Sequence, residues 1–126
     1  MPTIDLTKEN FEEVINNNNF IFVDFWAPWC APCRYFKPIF EKTAENHPDI
    51  VFCKVNTEEQ RELAGYFQIR SIPTLMVFRE RVIVYSEAGA LSEPGLEELI
   101  AQIRKLDMAQ IHKDIAEQES NEAQNN

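Results

Sequence analysis

The sequence predicts an α/β domain: a central mixed β-sheet flanked by helices on both faces. Three observations predict it. Phe20–Trp26 and Ile50–Val55 are continuous rather than alternating apolar runs, as expected of strands covered on both sides. Helical periodicities lie between and after them, which makes a βαβ unit. Thr74–Phe78 and Val82–Tyr85 sit close together around Arg79-Glu80-Arg81 and read as a hairpin, adding antiparallel pairing.

The elements follow in order. Thr7 is placed to cap a helix over Lys8–Ile15, with acidic residues in the first turns and Phe11, Val14 and Ile15 on one face. Asn16–Asn19 ends it and turns the chain. The first strand, Phe20–Trp26, carries one acid, Asp24, in a buried setting. A helix follows through Arg34–Ala44, with Pro38 set to kink it. Glu58–Phe67 reads as a short polar helix after the second strand. Pro94–Leu106 is amphipathic, with Leu96, Leu99, Ile100, Ile103 and Leu106 on one stripe.

A domain over residues 1–106 is therefore expected, with an acidic extension over 107–126. Met108, Ile111 and Ile115 keep a thin helical stripe to about Ala116, and a disordered polar end is expected beyond. Five acids (Asp107, Asp114, Glu117, Glu119 and Glu122) face one base, Lys113, in that extension, a net −4 of the chain's −9.

Composition narrows the function. The 126 residues suit one compact domain, and a hydrophobic fraction of 44% is ordinary for a globular protein. A net charge of −9 argues against nucleic-acid and anionic-membrane partners. The N-terminal segment has neither a basic start nor an apolar core, so a cytoplasmic protein is expected. With three cysteines there is no disulfide scaffold, and with three glycines no Gly-rich phosphate loop.

Two of the cysteines form the informative motif, Trp29-Cys30-Ala31-Pro32-Cys33. It lies where a strand gives way to a helix. A thiolate at a helix start faces unpaired backbone amides and the positive end of the helix dipole, which lower its pKa. Cys33 falls within disulfide reach across the first turn, so Cys30 can attack a disulfide and Cys33 can resolve the product.

This segment resembles the active site of the thioredoxin family, and the rest of the chain over about Ile4–Leu106 fits it. Asp24-Phe25-Trp26-Ala27 precedes the motif, Pro38 falls at the family's helix kink, and Lys54-Val55-Asn56 closes the next strand. Ile72-Pro73-Thr74 matches the cis-proline loop and Gly89-Ala90-Leu91-Ser92 the start of the last helix. The resemblance implies a cytoplasmic, monomeric protein-disulfide reductase with no bound cofactor or metal, cycling between a dithiol and a Cys30–Cys33 disulfide. It implies a flavin-containing, NADPH-dependent thioredoxin reductase as electron donor and disulfide-containing proteins as targets.

The same resemblance implies residue roles. Cys30 is the attacking thiol and Cys33 the resolving one. Asp24 is a buried carboxyl with a raised pKa that takes the Cys33 proton through water, and Lys54 moderates it. Pro73 is cis and faces the disulfide, and Trp29, Ala31, Pro32, Ile72, Gly89 and Ala90 complete a shallow docking surface. The chain departs from the family at Ala31, where glycine is usual, at the Arg79-Glu80-Arg81 turn, and in its extension.

Other readings stay open on the residues alone: a disulfide oxidase or isomerase, a binding or chaperone-like module independent of the thiols, and a zinc half-site. Zinc would need further ligands from Cys53, His47 and His112, none suitably spaced. Cys53 is expected to be a core residue, both histidines to face solvent, and Arg34 to be a solvated partner of the acidic surface.

Overall fold

The computed structural model describes residues 2–125. In chain order its elements are β1 (Thr3–Asp5), α1 (Phe11–Asn17), β2 (Phe20–Trp26), α2 (Ala31–Asn46), β3 (Val51–Asn56) and α3 (Arg61–Tyr66). They continue with β4 (Thr74–Arg79), β5 (Val82–Ala88), α4 (Glu93–Arg104) and α5 (Met108–Asn125). The strands form one sheet in the order β1-β3-β2-β4-β5. β1 and β2 run parallel to β3, and β4 runs antiparallel to both β2 and β5, so the sheet is mixed.

Side chains alternate across the central strands and divide the core in two. Phe22, Phe52, Leu75 and Val77 pack against Phe36, Phe40 and Ala44 of α2 and Leu96, Ile100 and Ile103 of α4. On the other face Ile21, Val23, Phe25, Cys53, Met76 and Phe78 meet Ile15 of α1 and Leu63 of α3. The expected helices on both faces are present. Asp24 and Trp26 share the Phe22 side, and Lys54 shares the Phe52 side, beneath α2.

Several boundaries differ from those the sequence predicts. β1 has no counterpart in that reading. It is an edge strand of three residues, too short to show a period, and is held by its register with β3. α1 starts at Phe11 rather than Lys8. Thr7 closes a turn with Asn10 instead of capping the helix: Asn10 Oδ1 accepts the Thr7 N–H at 2.7 Å, and Thr7 Oγ1 accepts the Asn10 N–H at 3.3 Å. α3 likewise starts late, at Arg61, because Asn56 Oδ1 accepts the amides of Glu58 and Glu59 and holds a turn there.

The β4–β5 turn contains no glycine, yet Glu80 and Arg81 have φ of 52° and 67°. This suits the twist of a tight hairpin but is costly for side-chain-bearing residues. Contacts outside the turn hold it. The Glu80 N–H donates to the Asn19 carbonyl at 2.8 Å, Arg81 Nη1 donates to Asn19 Oδ1 at 3.1 Å, and the Glu80 carboxylate meets His112 Nε2 at 3.0 Å.

α5 runs on to Asn125, past Ala116, where the sequence pattern predicts the helix to stop. Ala, Gln and Glu sustain it with little help from packing, and Gln110–Asp114 and Gln118–Glu122 bond one turn apart. His47 is also corrected. It is largely covered, with Nε2 at 2.8 Å from Glu97 Oε2 and Nδ1 at 3.1 Å from Arg104 Nη2. Arg104 forks onto Asp49 at 2.7 and 3.1 Å, tying the end of α2 to α4.

Phe40 is fully buried, with ring centres 5.6 Å from Phe36 and 5.1 Å from Phe52. Phe40→Ala is expected to cost about 3–5 kcal/mol, read as a lower urea midpoint. A loss below about 1 kcal/mol would mean that this layer can collapse around the cavity.

Candidate active site

Cys30 is the N-cap of α2, with Ala31 and Pro32 forming the first helical positions. Pro32 is tolerated there because its missing N–H would have no intrahelical partner. Cys30 is joined to Cys33 by a disulfide with Cα atoms 5.2 Å apart, and the Cys33 N–H points at Cys30 Sγ at 3.2 Å. Both cysteines are nearly covered, in a small cluster with Ala27, Trp26 and Ile72. Arg34, expected to serve the acidic surface, instead donates from Nη1 to the Pro28 carbonyl at 3.0 Å and braces the loop before Cys30.

The Ile72–Pro73 bond is cis, and the Ile72 carbonyl oxygen lies 3.7 Å from Cys30 Sγ. The Pro73 carbonyl accepts the Gly89 N–H at 2.8 Å, so the loop after β5 is drawn to the same place. Gly89 has φ of 108°, a conformation that favours glycine. Ala31 and Pro32 are exposed beside the disulfide, Ile72 is half-buried, and Ala90 leans onto the α2–α4 core. Trp29 is 67% exposed, and its indole N–H donates to Glu58. Glu58 escapes the sequence reading because it is far from Trp29 along the chain.

Beneath the disulfide lies a cavity of about 220 Å³ lined by Asp24, Trp26, Pro28, Cys33, Arg34, Lys37 and Lys54. Asp24 is 1% exposed. Asp24 Oδ1 and Trp26 Nε1 are buried and have no hydrogen-bond partner among the described residues. Burial pushes the Asp24 carboxyl from 3.8 up to about 7, and the Lys54 charge partly opposes the shift. Lys54 is opposite Asp24 in the β2–β3 register and is itself buried. Its Nζ lies 4.8 Å from the centre of the Trp26 ring and 3.6 Å from Glu41 Oε2. Glu41 carries no local signal along the chain, whereas Trp26, two residues after Asp24 on a strand, is placed by its spacing on the same face.

Cys53 lies in the core on the opposite face, where burial pushes its thiol up to about 12. It cannot join Cys30 and Cys33 in a metal site. Among the described residues no three His, Cys, Asp or Glu side chains come together to hold a metal, and no helix is long and apolar enough to cross a membrane.

The thioredoxin family model matches residues 2–105. The chain belongs to the thioredoxin family. A putative thioredoxin 2 of Streptomyces coelicolor is 53% identical over 118 residues, covering 94% of this chain and 88% of that protein. A thioredoxin of Buchnera aphidicola is 40% identical, covering 77% of this chain and 92% of that protein. Among solved structures, a thioredoxin mutant from Halobacterium salinarum superposes with a TM-score of 0.76 at 28% identity, covering 82% of this chain and 92% of that one. Plasmodium falciparum thioredoxin superposes with a TM-score of 0.74 at 31% identity, covering 79% and 98%. The protein is a thiol-disulfide oxidoreductase of the thioredoxin type, a class of protein-disulfide reductases.

The raised Asp24 carboxyl has a consequence for stability. The native state holds this proton up to about 7, whereas the unfolded chain releases it near 3.8. Stability from this group is complete below the lower value and is lost as pH rises through the upper one. Asp24→Asn is therefore expected to stabilise the fold by roughly 2–4 kcal/mol at pH 8, with little gain at pH 4. Denaturation midpoints of both proteins across pH 4–9 test this; parallel curves would show that Asp24 ionises normally.

Proposed function

We propose that the protein reduces disulfides in cytoplasmic proteins by a Cys30/Cys33 cycle with Asp24 as proton acceptor. The observation that carries the residue roles is the cavity lined by both Cys33 and Asp24. Cys30, at the helix start and nearest the Ile72 carbonyl, attacks one sulfur of the target disulfide as a thiolate. The target's other sulfur leaves as a thiolate and takes a proton from solvent. Cys33 then gives its proton to Asp24 through water in the cavity, which is large enough to hold several molecules. Its thiolate attacks Cys30 Sγ, the mixed disulfide breaks, and the second target sulfur departs as a thiolate that takes a proton from solvent. Two electrons have passed to the target and the Cys30–Cys33 disulfide remains.

Restoration of the dithiol is assigned to an NADPH-dependent thioredoxin reductase, on family resemblance. Target recognition is assigned to the backbone of Ile72 beside Pro73 and to Trp29, Ala31, Pro32, Gly89 and Ala90, with an extended segment pairing along the loop. The partition into a redox domain over 1–106 and an acidic extension over 107–126 belongs to the same reading. It draws support from the family match ending at residue 105. Pro32 before Cys33, where oxidising relatives tend to carry histidine, favours a reductase over an oxidase.

Cys30→Ser is expected to abolish reduction of insulin disulfides by NADPH and a thioredoxin reductase, whereas Cys33→Ser should accumulate a mixed disulfide with target protein on non-reducing gels. Near wild-type turnover by Cys30→Ser would refute the assignment of the nucleophile.

A further inference from the structure

We propose that Glu41 is a positioning residue for the Cys33 proton-transfer step, acting through Lys54 to set how firmly Asp24 holds its proton. The inference rests on the reading of Asp24 as proton acceptor and extends it to a side chain that touches neither cysteine. Lys54 is a buried ammonium with one charge to share between two carboxylates. Asp24 lies opposite it on the neighbouring strand, and Glu41 reaches it from α2 at 3.6 Å. Among the described residues Glu41 is the one carboxylate within ion-pair distance of Lys54. The Trp26 ring centre lies 4.8 Å from the same ammonium.

The charged groups around this site come from several elements. Asp24 stands on β2, while Cys33, Arg34, Lys37 and Glu41 belong to α2. Asp5 of β1 and Glu59 border a second cavity, of about 250 Å³, that Lys54 and Trp26 also line. An ammonium turned toward Asp24 favours the ionised carboxylate and weakens it as a base. One held toward Glu41 compensates Asp24 less, so Asp24 retains its affinity for the Cys33 proton. Asp24 and Lys54 are both buried, so such a displacement of charge is screened less between them than at the open surface, although Glu41 itself is partly exposed. One helix thus carries both the resolving sulfur and the carboxylate that sets its proton acceptor.

The test uses the full chain with Glu41→Gln, Lys54→Met, the double variant, and Glu59→Gln, which removes a carboxylate from the second cavity that Lys54 also lines. Two quantities are read: the titration midpoint of the Asp24 carboxyl carbon by NMR in the oxidised protein, and the pH profile of single-turnover disulfide reduction. Glu41→Gln should move the Asp24 midpoint to lower pH by about half a pH unit or more. The same substitution should have little effect in the Lys54→Met background, and Glu59→Gln should leave the midpoint in place. An unmoved midpoint in Glu41→Gln, an equal shift in Glu59→Gln, or an undiminished shift without Lys54 would overturn the proposal. A midpoint that moves while the rate profile stays put would support the Glu41–Lys54 coupling and instead remove Asp24 from the proton path.

Discussion

Asp24 stands in the middle strand of the sheet, with β3 on one side, β4 on the other and α2 closing over it. Its carboxyl is cut off from bulk solvent, and this desolvation is what drives its proton affinity up. The other parts of the site are arranged around that burial. β3 supplies a single compensating ammonium by register, α2 lays the disulfide over the cavity, and the cis-proline loop covers Cys30 from the β4 side. Lifting α2 or the cis-proline loop away would open the carboxyl to solvent and return Asp24 toward an ordinary carboxylate, whereas losing the Lys54 charge would push its proton affinity higher still.

Such a group is costly to keep, and the surrounding core has to offset it. The layer that holds α2 on the sheet is aromatic, with Phe22 and Phe52 5.3 Å apart and Phe40 packed edge-on against Phe52. Rings fill this space with few rotamers and hold the helix at a defined height. The same packing fixes the helix that carries Cys33 and is capped by Cys30. Cys53 is on the other face of the same sheet, buried in the second core layer and away from the cavity beneath the disulfide.

Features at the periphery depend on contacts between distant parts of the chain. The Glu80-Arg81 turn adopts its backbone without glycine because Asn19, on the loop entering β2, bonds to both residues. His47 and Asp49 are tied to Arg104, near the end of α4. α5 touches the domain through Met108 at its start and His112 at the hairpin, Ile111 and Ile115 are partly covered, and beyond Ile115 it stands exposed.

Long apolar runs made β2 and β3 legible to within a residue, because continuous burial leaves a continuous hydrophobic signal. The Trp29–Cys33 motif placed the chemistry, since a helix start needs its capping thiol next to it in sequence. β1 left no such signal, and the starts of α1 and α3 were set by side-chain turns rather than by periodicity. By itself the sequence determined the α/β class, the redox pair and the family resemblance, all of which rest on neighbours along the chain. Only the tertiary structure decided that Asp24, Trp26, Lys54 and Glu41 share one cavity wall and its approaches, and that Glu58 holds Trp29. Strand register and helix packing set those distances, and they bring together residues that are remote in the chain.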